Sequence, residues 1–187
     1  MDDRKIKNVV IVNDFNYVQG GASKVAIETA KILQEQGIRV FFFSAVNKEN
    51  EKIDGVKYIS TNQQEALKEK NKIKGAINGI YNLKVKKELK KLLKTLNKES
   101  TIIHVHGWTK ALSSSVFDMA FKMKFKVVLT LHDYFTACPN GGYFNYKKNE
   151  ICKFKPLSWK CIKCNCDSRN YGFKFYRVIR QFVQNKI

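Results

Sequence analysis

Proline is nearly absent from this chain, with two in 187 residues beside ten glycines. That excludes collagen-like and proline-rich low-complexity sequences. Acidic residues are scarce as well, 16 against 35 Lys and Arg, which leaves a net charge of +19. No stretch approaches the ~18 uncharged apolar residues that would span a bilayer. The opening MDDRKIKNVVIV has neither the apolar core nor the small-residue cleavage site of a secretion signal, so a cytoplasmic chain is expected. Neither G-x-G-x-x-G nor a Walker loop occurs, which argues against a standard dinucleotide or P-loop site. The paired CxxC…CxxC of common zinc ribbons is missing too. The five cysteines are an odd number, and four lie together in CKFKPLSWKCIKCNC, from Cys152 to Cys166. Without a secretion signal, thiols or metal ligands are expected there rather than disulfides.

What is present suits a globular α/β protein. Hydrophobic residues make up 44%, with 13 Phe, 8 Tyr and 2 Trp, enough for a core and too much for a disordered chain. Lys7 to Asn13 (KNVVIVN) reads as a buried strand. A turn ending in Gly20-Gly21 follows, then a helix over about Ala22–Gln36 with Ala22, Val25, Ala26, Thr29, Ala30 and Leu33 on one face. Ile38–Ser44 and, more weakly, Val56–Ile59 read as strands. Residues 62–98 are helical in character, with one apolar period running from Ile73 through Ile77, Ile80, Tyr81, Val85 and Leu89 to Leu96. The opposite face is rich in lysine, so the stretch reads as a core-packed helix or as a patch for anionic lipid. Thr101–His106 and Phe125–Leu131 are further strands around a helix near Ala111–Lys122. Residues 135–170 are irregular and hold all five cysteines, and a helix over about Tyr171–Val183 ends the chain. The fold expected is α/β: a Rossmann-like parallel sheet with flanking helices and a cysteine-rich irregular segment near the C-terminus. The expected division is 1–134, an inserted loop 135–170 and a final helix 171–187 of the same domain.

Three constellations can carry chemistry. Gly20-Gly21 lies between a strand and a helix N-terminus, where backbone N–H groups suit a phosphate. His104, His106 and His132 stand at strand C-terminal ends, the edge where open parallel sheets bind ligands. His104 lies deeper, so His106 and His132 are the better candidates; Asp14 and Asp133 sit at the same edge and suit hydroxyl groups. Cys152, Cys161, Cys164 and Cys166 offer four soft ligands for tetrahedral zinc, with Cys138 as a fifth candidate. The positive charge predicts a polyanionic partner: a membrane face, a nucleic acid or a phosphorylated substrate.

VVIVNDFNYVQGGASKVAIETAKILQEQGIRVFFFS, STIIHVHGW and VVLTLHDYFTACPNGG together resemble the N-terminal, acceptor-side domain of a family 4 glycosyltransferase, closest to bacterial enzymes of surface-polysaccharide assembly. The resemblance implies the GT-B architecture of two Rossmann-like halves, and retaining transfer of a sugar from a nucleotide-sugar donor to a glycan or lipid-linked acceptor, without a catalytic metal. It implies His132 as the catalytic group, Gly20 and Gly21 near the donor pyrophosphate, and Asp14, His106 and Asp133 on the acceptor side. It also implies a structural zinc on Cys138, Cys152, Cys161 and Cys166, a different set from the one spacing favours. Ser23 and Thr101 depart from the Glu and Asp frequent in that family. On this reading the donor-binding C-terminal half is missing and the chain alone is inactive, working beside the cytoplasmic face of the membrane. Two other classes are a basic zinc-containing nucleic-acid-binding module, disfavoured because no such motif occurs, and a non-catalytic adaptor.

Overall fold

Apolar strands alternating with helices give a parallel sheet whose layers follow from side-chain register. A computed structural model describes residues 6–48 and 52–187; the first five residues, part of the stretch read as lacking a leader, lie outside that range. The chain divides into two units, Met1–His132 and Asp133–Ile187.

In the first unit, β1 (Asn8–Phe15), β2 (Arg39–Val46), β3 (Lys57–Ser60), β4 (Thr101–Val105) and β5 (Lys126–Leu129) form one parallel sheet in the order β3-β2-β1-β4-β5. Helix α1 (Gly21–Glu35) joins β1 to β2, α2 (Lys72–Ile80) and α3 (Leu83–Leu93) lie between β3 and β4, and α4 (Ser115–Lys122) joins β4 to β5. Register pairs Val9 with Val40 and Ile11 with Phe42. These four form one buried cluster with Ala26 and Ala30 of α1. Val10, Val12, Phe41, Phe43, Ile103 and Val105 alternate onto the opposite face and are buried too. Right-handed crossovers place α1 on the first face and α3 and α4 on the second. Val85, Leu89, Leu92 and Leu93 are the buried residues of α3; each such side chain contributes about 1.5–3 kcal/mol on burial.

Asp118 of α4 ties these helices together. Its carboxylate meets Lys86 of α3 at 2.8 Å, Lys122 at 2.9 Å and the Tyr81 hydroxyl. Burial acts to raise its pKa, but hydrogen bonds from Lys122, Lys86 and Tyr81 prevail and hold it at about 2. The same contacts push the Lys86 ammonium above its ordinary range.

The single apolar period over residues 73–96 is broken in space. Tyr81 ends α2 in extended backbone, and the side chain of Asn82 accepts from Val85 N at 3.1 Å to start α3. The period matches the core only in α3. In α2 the buried positions are Gly75 and Gly79, and Ile73 and Ile77 are exposed.

The second unit holds a short antiparallel pair, β6 (Phe144–Asn145) and β7 (Glu150–Ile151), then α5 (Trp159–Lys163) and α6 (Tyr171–Gln184). Asn170 caps α6 through Phe173 N at 3.1 Å. Gly141 has φ +73°, and a Cβ there would stand 2.6 Å from the Phe135 ring, so only glycine fits.

A Cβ on Gly75 would lie 2.3 Å from the backbone oxygen of Ala66. Gly75→Ala is therefore expected to lift α2 off the 66–68 turn and cost about 1–3 kcal/mol, read as a lower Tm in thermal denaturation.

Candidate functional site

The strand order reverses its direction of growth between β1 and β4, so the loops leaving their C-terminal ends diverge to opposite faces. That opening is where doubly wound sheets bind ligands. Among the expected residues, Asp14, Gly20, Gly21, His106 and His132 belong to this edge of the first unit, because β1, β4 and β5 are parallel neighbours.

His106 N donates to Val12 O at 2.9 Å, and Thr130 N donates to Val105 O at 3.0 Å, extending the ladder past both strand ends. The three imidazoles then form a stack: His104 and His106 have ring centroids 4.2 Å apart, His106 and His132 5.5 Å apart. His104 Nε2 bonds Thr130 Oγ1 at 2.8 Å, just past β5, and His104 is only half-buried, so the ring expected to lie deeper is more accessible than His106. His106 is 3% exposed and its Nδ1 lies 3.3 Å from Nε2 of His132, an exposed residue. Burial, followed by the neighbouring His104 and His132, lowers the His106 pKa to about 3. Burial, and then His132, also lowers that of His104.

Of the two facing ring nitrogens, one donates and the other accepts. Nε2 of His106 is buried without a hydrogen-bond partner. An unpaired buried N–H costs more than an unpaired buried lone pair. The network therefore assigns the proton to Nδ1 of His106, which donates to Nε2 of His132. An inner, neutral imidazole thus orients an outer, accessible one.

Asp14 differs from its expected place facing a ligand. It is buried, and its two oxygens accept from the backbone N–H groups of Lys110, Ala111 and Leu112 at 3.0, 2.8 and 2.9 Å. Burial raises its pKa, against the pull of those three donors. Asp14 thus shapes the loop after β4. Asn13 and Gly107, which the sequence reading missed, complete this joint: Asn13 donates to Phe15 O at 2.7 Å, and a Cβ on Gly107 would meet Asn13 Oδ1 at 2.6 Å. The only available signal was a glycine directly after the His106 strand end.

Gly20 has extended backbone and Gly21 opens α1; a Cβ on either would meet nothing within 4 Å. No side chain caps α1 and its first turn carries no acid. The fold therefore does not demand glycine here. Asp133 belongs to the second unit, where it is exposed and accepts from Phe135 N at 3.0 Å.

The cysteines do not present the donor set expected for zinc. All five are free thiols. Among the described residues no three His, Cys, Asp or Glu stand where they could share an ion. The sulfurs have other partners: Cys138 donates to Asn140 Oδ1 at 3.1 Å, the Asn140 amide donates to Cys166 Sγ at 3.3 Å, and the Asn145 amide to Cys164 Sγ at 3.6 Å. Lys174, fully buried, donates to Cys161 Sγ at 3.4 Å and also bonds Cys166. Burial works against the Lys174 ammonium, but Cys166 and Cys161 outweigh it and raise its pKa. Burial pushes the Cys166 thiol up, with Lys174 opposing. The cation among these sulfurs is the chain's own ammonium, on a residue that no local pattern marks as buried.

Residues 19–163 match the sequence family described as Glycosyltransferase Family 4. A search of curated proteins finds no match. The solved structure of LpCGTa in complex with UDP is similar over 95% of this chain and 43% of that one, at 11% identity and a TM-score of 0.47. The chain thus spans less than half the length of that protein.

Because His106 is held neutral in the fold, the unfolded chain binds the extra proton as pH falls below about 6.5. Its contribution is complete at neutral pH and declines as pH drops from about 6.5 towards 3. Stability is expected to be about 2 kcal/mol lower at pH 5 than at pH 7 from this group, and His106→Asn should flatten that part of the profile in urea titrations. In the second unit, Lys174→Met should cost about 1–3 kcal/mol by leaving Cys161 without its donor and Cys166 with the Asn140 amide alone, seen as a lower Tm.

Proposed function

The chain belongs to Glycosyltransferase Family 4, and from that premise we propose that it is the acceptor-side half of a retaining glycosyltransferase of bacterial surface-polysaccharide assembly. It acts with a donor-binding half, and the two units of this chain serve as parts of one acceptor-side domain. The donor is a nucleotide-sugar and the acceptor a glycan or lipid-linked glycan. The observation that carries the reading is the pair of coupled imidazoles, one buried and neutral and one exposed, at the switch point of the sheet. The open backbone at Gly20 and Gly21 on the same edge supports it.

Transfer breaks the bond from the anomeric carbon to the donor phosphate oxygen and forms one to the acceptor hydroxyl oxygen. The hydroxyl proton leaves to the departing phosphate. His132, accessible, hydrogen-bonds the reacting sugar as charge develops there. His106 acts behind it by holding that ring. Gly20 and Gly21 let the diphosphate approach backbone N–H groups at the N-terminus of α1, where the helix dipole favours negative charge. Asp14 acts through the loop it holds. No catalytic metal is assigned, and zinc forms no part of the reading. The protein works as a peripheral protein at the inner face of the cell membrane; among the described residues no helix is long and apolar enough to cross one.

The isolated chain should show no turnover above the background of donor hydrolysis, and addition of its donor-binding half should restore transfer. In that reconstituted enzyme, His132→Ala should lower kcat about 100-fold or more, and Gly20→Ala or Gly21→Ala should lower kcat/KM about tenfold or more at unchanged Tm. Full turnover from the isolated chain, or wild-type kinetics for His132→Ala, would overturn the reading.

A further inference from the structure

Helix α2 is built inside out. In a surface helix the apolar stripe faces the core, yet here the residues turned inward are Gly75 and Gly79, one turn apart. The close approach of Gly75 to the Ala66 carbonyl shows the helix backbone lying flush on the 66–68 turn. At about 100° per residue, Ile73 and Ile77 then point roughly opposite the glycines, and they are 74% and 59% exposed. Leu83, just past the C-terminal end of the helix, is 70% exposed. Exposed large aliphatic side chains that share one helix face mark an interaction site.

The chemistry around them selects the partner. Lys70 and Lys74 are exposed on the same segment as the isoleucines, Lys84, Lys87 and Lys90 of α3 are exposed too, and exposed Lys72 turns its Nζ to Leu67 O at 3.4 Å. None of these six forms an ion pair with a described residue, whereas Lys68 and Lys91 pair with Glu65 and Glu88. A cavity of about 330 Å³ opens next to α2, where Lys70, Lys74 and Lys84 are joined by one acid, Glu69, and otherwise by side-chain amides. Protein interfaces are depleted in lysine and anchored by aromatic residues or arginine, and this surface has the reverse composition. Aliphatic side chains ringed by lysine are what an interfacial helix presents to acidic lipid.

We propose that the exposed face of α2, with the adjoining lysines of α3, docks on an anionic phospholipid membrane. Ile73 and Ile77 enter the boundary between headgroups and acyl chains, and the cavity with Lys70, Lys74 and Lys84 takes a lipid phosphate. The proposal deepens the peripheral-membrane part of the reading above; its test measures lipid binding without sugar transfer, so either can fail alone.

The full chain is sedimented with vesicles of phosphatidylcholine alone and of phosphatidylcholine mixed with phosphatidylglycerol. Binding is expected to the mixed vesicles only. Ile73→Ser with Ile77→Ser, both at exposed positions, should weaken it at least tenfold at unchanged Tm. Lys70→Glu, Lys74→Glu and Lys84→Glu together should weaken it about 100-fold. The same charge change at exposed Lys31, Lys57 and Lys126, which lie outside the α2–α3 segment, should weaken it less than about threefold, because basic side chains act only near the surface. Equal loss in both lysine sets would reduce the effect to net charge and overturn the proposal. So would undiminished binding of the isoleucine variant. A concentration-dependent dimer that this variant abolishes while vesicle binding persists would assign the face to a second copy instead.

Discussion

A buried carboxylate accepting three backbone N–H groups holds the working edge of the sheet together. Asp14 joins the end of β1 to the turn after β4, two segments nearly a hundred residues apart in the chain. Charge-assisted bonds of this kind are the strong class, and they oppose the cost of burying the carboxylate without cancelling it. Gly107 must stay small for the neighbouring Asn13 side chain to keep its place. Once this joint is set, His106 leaves β4 in a position where its ring meets those of His104 and His132.

That stack orders polarity along one line. His104, half-buried, is tied to Thr130, the middle ring is sealed and neutral, and His132 is accessible. Burial favours the uncharged form of His104 and His106, so the accessible imidazole of His132 has a neutral partner beside it.

Elsewhere the surplus of positive charge is used in two ways. Lys174 lies inside the second unit, where Cys161 and Cys166 receive its ammonium. Such a buried cation specifies how the thiols are arranged, and its sulfur partners replace the hydration it has lost. Lys74 of α2 and Lys84, Lys87 and Lys90 of α3 remain exposed. Lys86 alone among the α3 lysines reaches Asp118 and so holds α3 against α4. One basic helix therefore combines a structural ion pair on its inner flank with unpaired charge on its outer face.

Much of the first unit was legible in the chain. VVIV, RVFFFS, TIIHV and KVVL are apolar runs too short for helices and rich in β-branched residues, so they read as buried parallel strands. Their ends placed Gly20-Gly21, His106 and His132 at one edge before any coordinates. The break at Asn82 was hidden because Ile77, Ile80, Tyr81 and Val85 carry the helical spacing straight across it; a cap is a local hydrogen bond and leaves no mark in periodicity. The outward face of α2 was hidden for a related reason. Periodicity assigns the core side to isoleucine, but glycine permits a closer approach of backbone to backbone, and that contact prevailed. The inward role of Asp14, the place of Gly107 and the burial of Lys174 among thiols depend on partners far away in sequence. Local pattern thus determined the elements, their order and the edge that carries the imidazoles, because strand and helix periods are properties of neighbouring residues. Which polar groups face inward was decided only by the tertiary structure, since burial of a carboxylate or an ammonium is tolerable only where the fold supplies its hydrogen-bond partners.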